Sequence, residues 1–353
     1  MSFSVVTMGQ YAGRRVLVTG GLGFLGSNLA LALHRAGARV MVVDSLVAGC
    51  GGSIANLGGA ARELRVEIAD IAEVPKVWPL LENAEIVFNL AAEISHSADT
   101  RMAERDLSLN VSSQLAFLGL CAEARPGIRV VYTSTRQVYG APLYLPVDER
   151  HPVQPIDFNG VHKQAASHYH LLMTRMGKLD AVVLNLTNIY GPRLALDVPG
   201  QGFLAQYVAQ ALRGNGLKIF GDGSQTRDPL FVEDAVEAIL LAGLAPLSEH
   251  RVFNVGHPEV WALRDIAMLV SEIAGLPAPE FIPFPENRRA IDIGSYATDT
   301  RLTHSVLGWQ ASTRLPDGIR MTLKHYGENA GAQVGSSVAG VRTRQSDSLC
   351  QSA

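Results

Sequence analysis

The chain is poor in cysteine: its 353 residues hold three, Cys50, Cys121 and Cys350. They form no CxxC pair and an odd number cannot all pair. The pattern fits neither a disulfide-stapled fold nor a structural zinc site, and it is the one expected in a reducing cytoplasm. No apolar run approaches the roughly 18 residues of a membrane-spanning helix. The first residues lack a basic segment followed by an uninterrupted apolar stretch, so no secretory signal is expected. Positive charge is not in excess either. Thirty Lys and Arg face 33 Asp and Glu, a formal net charge of −3, which excludes a general electrostatic attraction to nucleic acid. Internal repeats are absent. What is present is a chain 47% hydrophobic and long enough to bury a large core, the profile of a globular protein.

Residues 15–44 organise the rest. Val16, Leu17 and Val18 form the apolar run of a buried parallel strand. Gly20, Gly23 and Gly26 follow at three-residue spacing. The first allows a sharp turn, the second lets a pyrophosphate approach the backbone, and the third lets the next helix pack closely on the sheet. The helix start offers unpaired N–H groups and a positive dipole end to phosphate. Residues 40–43 then read as a second strand ending at Asp44. A carboxylate there suits the two ribose hydroxyls of NAD and repels the extra phosphate of NADP. A glycine triplet alone is weak evidence, but strand, turn, helix and acid occur here in the required order.

Further along, strands are expected at 63–68, 86–90, 129–132 and 181–186. Helices are expected at 74–81, 102–124 and from a cap at Asp157 to about Met176, with a glycine-rich loop at 48–59. Strands alternating with helices predict an α/β fold with a Rossmann-type, doubly wound parallel sheet. The second half predicts helices at 200–213, 232–243 and 264–274 and strands at 217–220 and 252–255, the last of which rejoins the main sheet. From Gly327 the composition turns polar and rich in glycine and serine, the profile of a disordered tail over 327–353.

Across residues 14–325 the chain resembles the extended short-chain dehydrogenases that act on nucleotide sugars, which include UDP-glucose 4-epimerases and dTDP-glucose 4,6-dehydratases. The resemblance rests on TGGLGFLG (Thr19–Gly26), Asp70–Ile71, FNLAA (Phe88–Ala92), STRQVYG (Ser134–Gly140), NIYGPR (Asn188–Arg193), FGDG (Phe220–Gly223), Arg227–Asp228 and LGW (Leu307–Trp309). It implies an NAD-binding Rossmann domain over 14–190, joined by the 252–255 strand. It also implies a smaller C-terminal α/β region over 191–325 that mainly binds the nucleotide sugar, UDP- or dTDP-linked. On matching positions, Gly20, Gly23, Phe24, Leu25 and Gly26 would hold the pyrophosphate and Asp44 the adenosine ribose. Asp70 and Ile71 would line the adenine, and Leu90, Ala91 and Ala92 would pass under the cofactor. Asn110 would belong to a proton-relay network. Asn188 would contact the sugar diphosphate, Phe220 the base, Arg227 and Arg289 the diphosphate, and Asp292 the nucleotide ribose. Family members are often dimers through the helices at about 104–123 and 158–176.

The chain departs from the family's pattern at Asn159 and at His162, which stands where the family usually has serine. The family's chemistry uses a serine or threonine, a tyrosine, and a lysine four residues after the tyrosine. Thr135 fits the first and would polarise the reacting hydroxyl. Lys163 fits the last and, by the resemblance, would hold the nicotinamide ribose and tune the local charge, but the tyrosine position holds Asn159. An amide does not titrate near neutral pH, and loss of a general base costs about 10² to 10⁴ in rate unless another group substitutes. His162, on the same helical face, is one candidate substitute, and a water held by Asn159 and Thr135 is another. His96 and His168 are weaker candidates of the same kind. Where the 4,6-dehydratases carry an Asp-Glu pair, this chain has Arg136 and Gln137. The reading is therefore NAD-dependent 4-epimerisation of a nucleotide sugar, with no metal. The alternatives are another oxidation, dehydration or decarboxylation of the same substrate class, or a protein that binds NAD and nucleotide sugar without catalysis.

Overall fold

The computed structural model describes residues 9–93, 100–198, 202–246, 249–285 and 292–333. The apolar runs became strands β1 (Arg15–Thr19), β2 (Arg39–Asp44), β3 (Arg65–Ile68), β4 (Ile86–Asn89), β5 (Arg129–Thr135) and β6 (Asp180–Leu186). Four short strands follow, β7 (Ile189–Tyr190), β8 (Lys218–Phe220), β9 (Thr226–Arg227) and β10 (Leu230–Phe231), and then β11 (Val252–Val255). Seven of these make one parallel sheet in the order β11-β6-β5-β4-β1-β2-β3, so the 252–255 strand does rejoin it.

Period-two alternation along each strand splits the core between the two faces of this sheet. Val16, Val18, Val42, Phe88 and Val131 face helices Phe24–Arg35 and Val232–Leu244, meeting Leu29, Leu33, Ala235 and Ile239. Leu17, Val43, Val87 and Val130 face helices Val74–Asn83 and Ser113–Ala124, meeting Val77, Leu80, Phe117 and Leu118. The chain runs outward from β1 to β3 and returns to β4 on the other side of β1. That reversal opens a crevice at the carboxyl ends of the strands. A smaller core forms beside it from Leu204, Tyr207, Ile219, Ile266, Val270 and Ile319. Two further short strands, β12 (Trp261–Ala262) and β13 (Glu280–Ile282), pair with β9 and β8 in this region.

Three expectations need correction. The helix expected over 102–124 is broken into Thr100–Leu107, a π-helical turn Ser108–Ser112 and Ser113–Ala124. A π turn inserts one residue without changing composition, so periodicity does not show it. The loop expected over 48–59 gives way at Ile54 to 3-10 turns running to Arg62, kinked at Gly58, where φ is 53°. The tail expected to be disordered from Gly327 continues a helix, Leu315–Gln333. That helix is anchored by buried Leu315 and Ile319, and each further residue adds one hydrogen bond to an existing nucleus. Residues 334–353 lie outside the described residues. Among the described residues no helix is long and apolar enough to cross a membrane.

Candidate active site

The crevice holds a cavity of about 290 Å3, and its wall draws mainly on residues at or just beyond the carboxyl ends of β1 to β6, joined by helical residues that include Asn159 and Lys163. At one end lies the glycine turn. Gly20 has φ +63°, and a Cβ there would sit 2.9 Å from the backbone of Ala91, so the loops after β1 and β4 touch. A Cβ on Gly26 would come within 2.1 Å of the Gly20 carbonyl oxygen, so only glycine lets the helix Phe24–Arg35 approach the turn. Gly23 begins that helix with no side-chain cap, and Gly23, Phe24, Leu25 and Gly26 all line the cavity. The uncapped N–H groups and the dipole end are a ready anion site.

Asp44 ends β2 on the same wall. Its carboxylate accepts hydrogen bonds from Leu22 N (3.0 Å) and Leu46 N (2.9 Å), which fixes its orientation. Asp70, held by Ala72 N at 2.8 Å, Ile71, and Leu90 to Ala92 complete this end. Beneath them Thr19 donates to Asn89 (2.8 Å), Asn89 to Gln114 (2.7 Å), and Gln114 to the Ala91 carbonyl (2.7 Å), locking the loop after β4. His170 joins this network at Asn89, and burial pushes its imidazole down to about 4.

Thr135, Arg136, Gln137, Asn159, Lys163 and Asn188 line the other end. Thr135 closes β5 and its hydroxyl accepts from Gln137 N, opening a short turn, Arg136–Tyr139. The helix Phe158–Arg175, capped by Asp157, carries Asn159 and Lys163 one turn apart. Lys163 is buried. Its Nζ donates to the Thr133 carbonyl (3.0 Å) and lies 4.9 Å from the centre of the Tyr132 ring. Burial lowers its pKa from 10.5 to about 8, partly opposed by the negative charge of Asp106.

Asn159 is fixed by chemistry as well as by position. Its Nδ2 donates to the Glu93 carbonyl (3.1 Å) and to Asp106 Oδ2 (3.2 Å). Both partners are acceptors, so the amide can take only one orientation. Asp106, 1% exposed, also accepts from Asn110 Nδ2 (2.6 Å) and meets His162 Nδ1 at 2.8 Å. Asn110, in the π turn, exchanges two hydrogen bonds with the Glu93 backbone. The predicted residues Asn159, Asn110 and His162 are thus brought together, but through Asp106, which the sequence reading missed. His162 pairs with Asp106 and is not part of the cavity wall. His168 is exposed against Gln164, and His96 lies outside the described residues.

The remaining predicted residues are more scattered. Asn188 lines the cavity, and its Oδ1 has no partner among the described residues. Phe220 meets Phe284 at 5.9 Å between ring centres, off that wall. Arg227 donates to the carbonyls of Thr226 and Gly294 and stands 3.9 Å from Asp292, which in turn accepts from Gln225. Arg289 lies outside the described residues.

A glycine turn flush against an uncapped helix, placed at the switch point of a parallel sheet, belongs to a dinucleotide-dependent enzyme of the Rossmann type. Comparison with known proteins narrows this class. The model of the NAD dependent epimerase/dehydratase family matches residues 16–256, and the chain belongs to that family. A UDP-glucose 4-epimerase of Mycolicibacterium smegmatis is 34% identical over 320 residues, covering 88% of this chain and 98% of the relative. Among solved structures, the UDP-glucose 4-epimerase of Thermotoga maritima with UDP-glucose superposes with a TM-score of 0.79 at 28% identity, over 89% of this chain and 99% of that one. MoeE5 in complex with UDP-glucuronic acid and NAD superposes with a TM-score of 0.77, also at 28% identity and with the same coverage.

Proposed function

We propose that this protein is an NAD-dependent 4-epimerase of a nucleotide-linked sugar. The observation that carries this is the convergence of Thr135, Lys163 and Asn188 on the cavity that the glycine turn and Asp44 close at its other end. Residues 14–190 would carry NAD and residues 191–325 mainly the nucleotide sugar. Gly20 to Gly26 would hold the pyrophosphate, Asp44 the ribose, Asp70 and Ile71 the adenine, and Leu90 to Ala92 the underside of the cofactor. Bound NAD supplies a hydride acceptor that returns the hydride to the opposite face of the sugar carbon.

The chain's own residues must handle the proton. Thr135 would polarise the sugar hydroxyl. Lys163 is a titratable group on the same wall as Thr135 and Asn159, and a pKa of about 8 leaves part of it neutral near pH 8. We assign it the proton, in place of the missing tyrosine and of His162. Asn159, with its Nδ2 committed inward, would offer Oδ1 as a fixed acceptor toward the substrate. Asn188 would contact the sugar diphosphate, Phe220 would flank the base, Arg227 with Arg289 would clamp the diphosphate, and Asp292 would accept the nucleotide ribose.

Exposed Leu107, Leu115, Val161 and Leu172 on adjoining helices support a homodimer through that face. A cytoplasmic location, supported by the unpaired Cys50 and Cys121, completes the reading. The test is proton NMR of the enzyme with NAD and a panel of UDP- and dTDP-hexoses in heavy water. Formation of the C4 epimer without deuterium at carbon is the expected result. Deuterium uptake at carbon would replace epimerisation with a dehydration-type reaction, and binding without change would leave a non-catalytic protein.

A further inference from the structure

Arg136 is the least explained charge in the site. The residue is 8% exposed and lines the cavity. Its guanidinium carbon lies 5.0 Å from the centre of the Tyr296 ring. Nη1 is buried with no hydrogen-bond partner, and no carboxylate among the described residues lies within ion-pair distance. The acids whose charge it feels are engaged elsewhere. Asp228 accepts from Thr187 (2.6 Å) and from Thr298 N (3.1 Å), Asp157 from Gly160 N and Gln137, and Asp292 from Gln225 and Gly294 N. A buried guanidinium without an anion is costly, the Tyr296 ring offsets only part of that cost, and an anionic ligand in the cavity would offset the rest. Two buried acceptors on the same wall, Gln137 Oε1 and Asn188 Oδ1, are also without partners.

We propose that Arg136 binds an anionic group on the sugar ring itself, making the substrate a nucleoside-diphosphate-linked uronic acid. The proposal rests on the nucleotide-sugar reading above and narrows it. One forked donor facing a carboxylate, beside two free acceptors for sugar hydroxyls, matches a uronic acid better than a neutral hexose. Position favours the sugar over the diphosphate: Arg136 directly follows Thr135, the residue assigned to the reacting hydroxyl, on the turn that Thr135 caps.

The test compares UDP, UDP-glucose and UDP-glucuronic acid on the NAD-loaded enzyme and its Arg136→Met and Arg136→Lys variants, by calorimetric binding and by turnover. Met has similar length and removes a buried charge, so the fold is expected to survive, and unchanged melting temperature and NAD binding confirm it. The wild type is expected to favour UDP-glucuronic acid over UDP-glucose by about tenfold or more. Arg136→Met should remove most of that preference, a fall of about tenfold or more, and Arg136→Lys should restore part of it. If Arg136→Met weakens UDP as much as UDP-glucuronic acid, the guanidinium serves the diphosphate and the proposal is overturned. If UDP-glucose is preferred and the preference does not change with Arg136, the proposal fails while the nucleotide-sugar reading stands. If none of the three binds, that reading fails and takes this proposal with it.

Discussion

Replacing Lys163 with methionine isolates the titration on which the proposed chemistry depends. The side chain is 5% exposed, and burial lowers its pKa from 10.5 to about 8. A fall of about 2.5, at about 1.4 kcal/mol for each tenfold change, puts the cost of keeping the ammonium in the fold at roughly 3 kcal/mol. The sign follows from proton binding. Below about pH 8 both folded and unfolded chains hold the proton, and the folded state bears the full cost. Between about 8 and 10.5 the unfolded chain holds a proton that the folded chain has lost, so stability rises with pH. Urea unfolding of the cofactor-free wild type and of Lys163→Met, from about pH 6 to 10.5, therefore gives a difference that is flat below about 8. It then climbs by about 3 kcal/mol in favour of the wild type. In turnover the same group appears as an acid limb with a slope of one in log kcat/KM. Bound NAD would bring a positive nicotinamide toward this lysine, so the limb is expected at or below about 8. Stability curves for the two proteins that stay parallel across the whole range would show that Lys163 is not held neutral by burial, and would remove it as the proton acceptor.

Two further substitutions probe the groups around it. Asp106→Asn removes the charge that raises the Lys163 pKa, so the acid limb moves to lower pH. The donors of Asn110, Asn159 and His162 converge on this carboxylate, so stability in urea falls by about 3–5 kcal/mol. A stable variant with an unmoved limb would break the link between Asp106 and Lys163. Gly26→Ala places a Cβ 2.1 Å from the Gly20 carbonyl oxygen, which forces the helix off the glycine turn. It should cost about 1–3 kcal/mol and at least tenfold in NAD affinity, read by quenching of protein fluorescence; wild-type affinity would mean that the turn does not hold the pyrophosphate.

How much of this the chain disclosed depends on how far apart the partners lie. The cofactor end was legible because its parts are neighbours. The glycines, the helix that follows and Asp44 fall within 30 residues, and their spacing follows from strand and helix geometry. The smaller region was legible as helices and strands, but its two-residue strands β7, β9, β10 and β12 were not, since runs so short have no period. The proton-handling end was legible only in part. Helical spacing correctly put Asn159, His162 and Lys163 on one side of one helix, and that grouping made His162 look like a base. What decides its role is Asp106, which comes from another helix 56 residues earlier.

The same long-range contact gives the departure at position 159 a physical sense. A tyrosine there would combine two functions in one hydroxyl, hydrogen-bonding the substrate and carrying its proton. In the proposed reaction Asn159 would keep only the first. Both of its donors are spent on Glu93 and Asp106, which leaves a carbonyl oxygen as its remaining polar atom on a residue of the cavity wall. The second function would then fall to a group that can titrate. Lys163 sits one turn further along the helix, is lowered toward neutrality by burial, and is balanced by the same Asp106 that orients the amide. One buried carboxylate thus helps orient the acceptor and raises the proton affinity of the lysine against the larger effect of burial. Changing Asp106 should therefore disturb substrate positioning and the pH profile together, whereas changing His162, which pairs with Asp106 off the wall, should act on both only through that carboxylate.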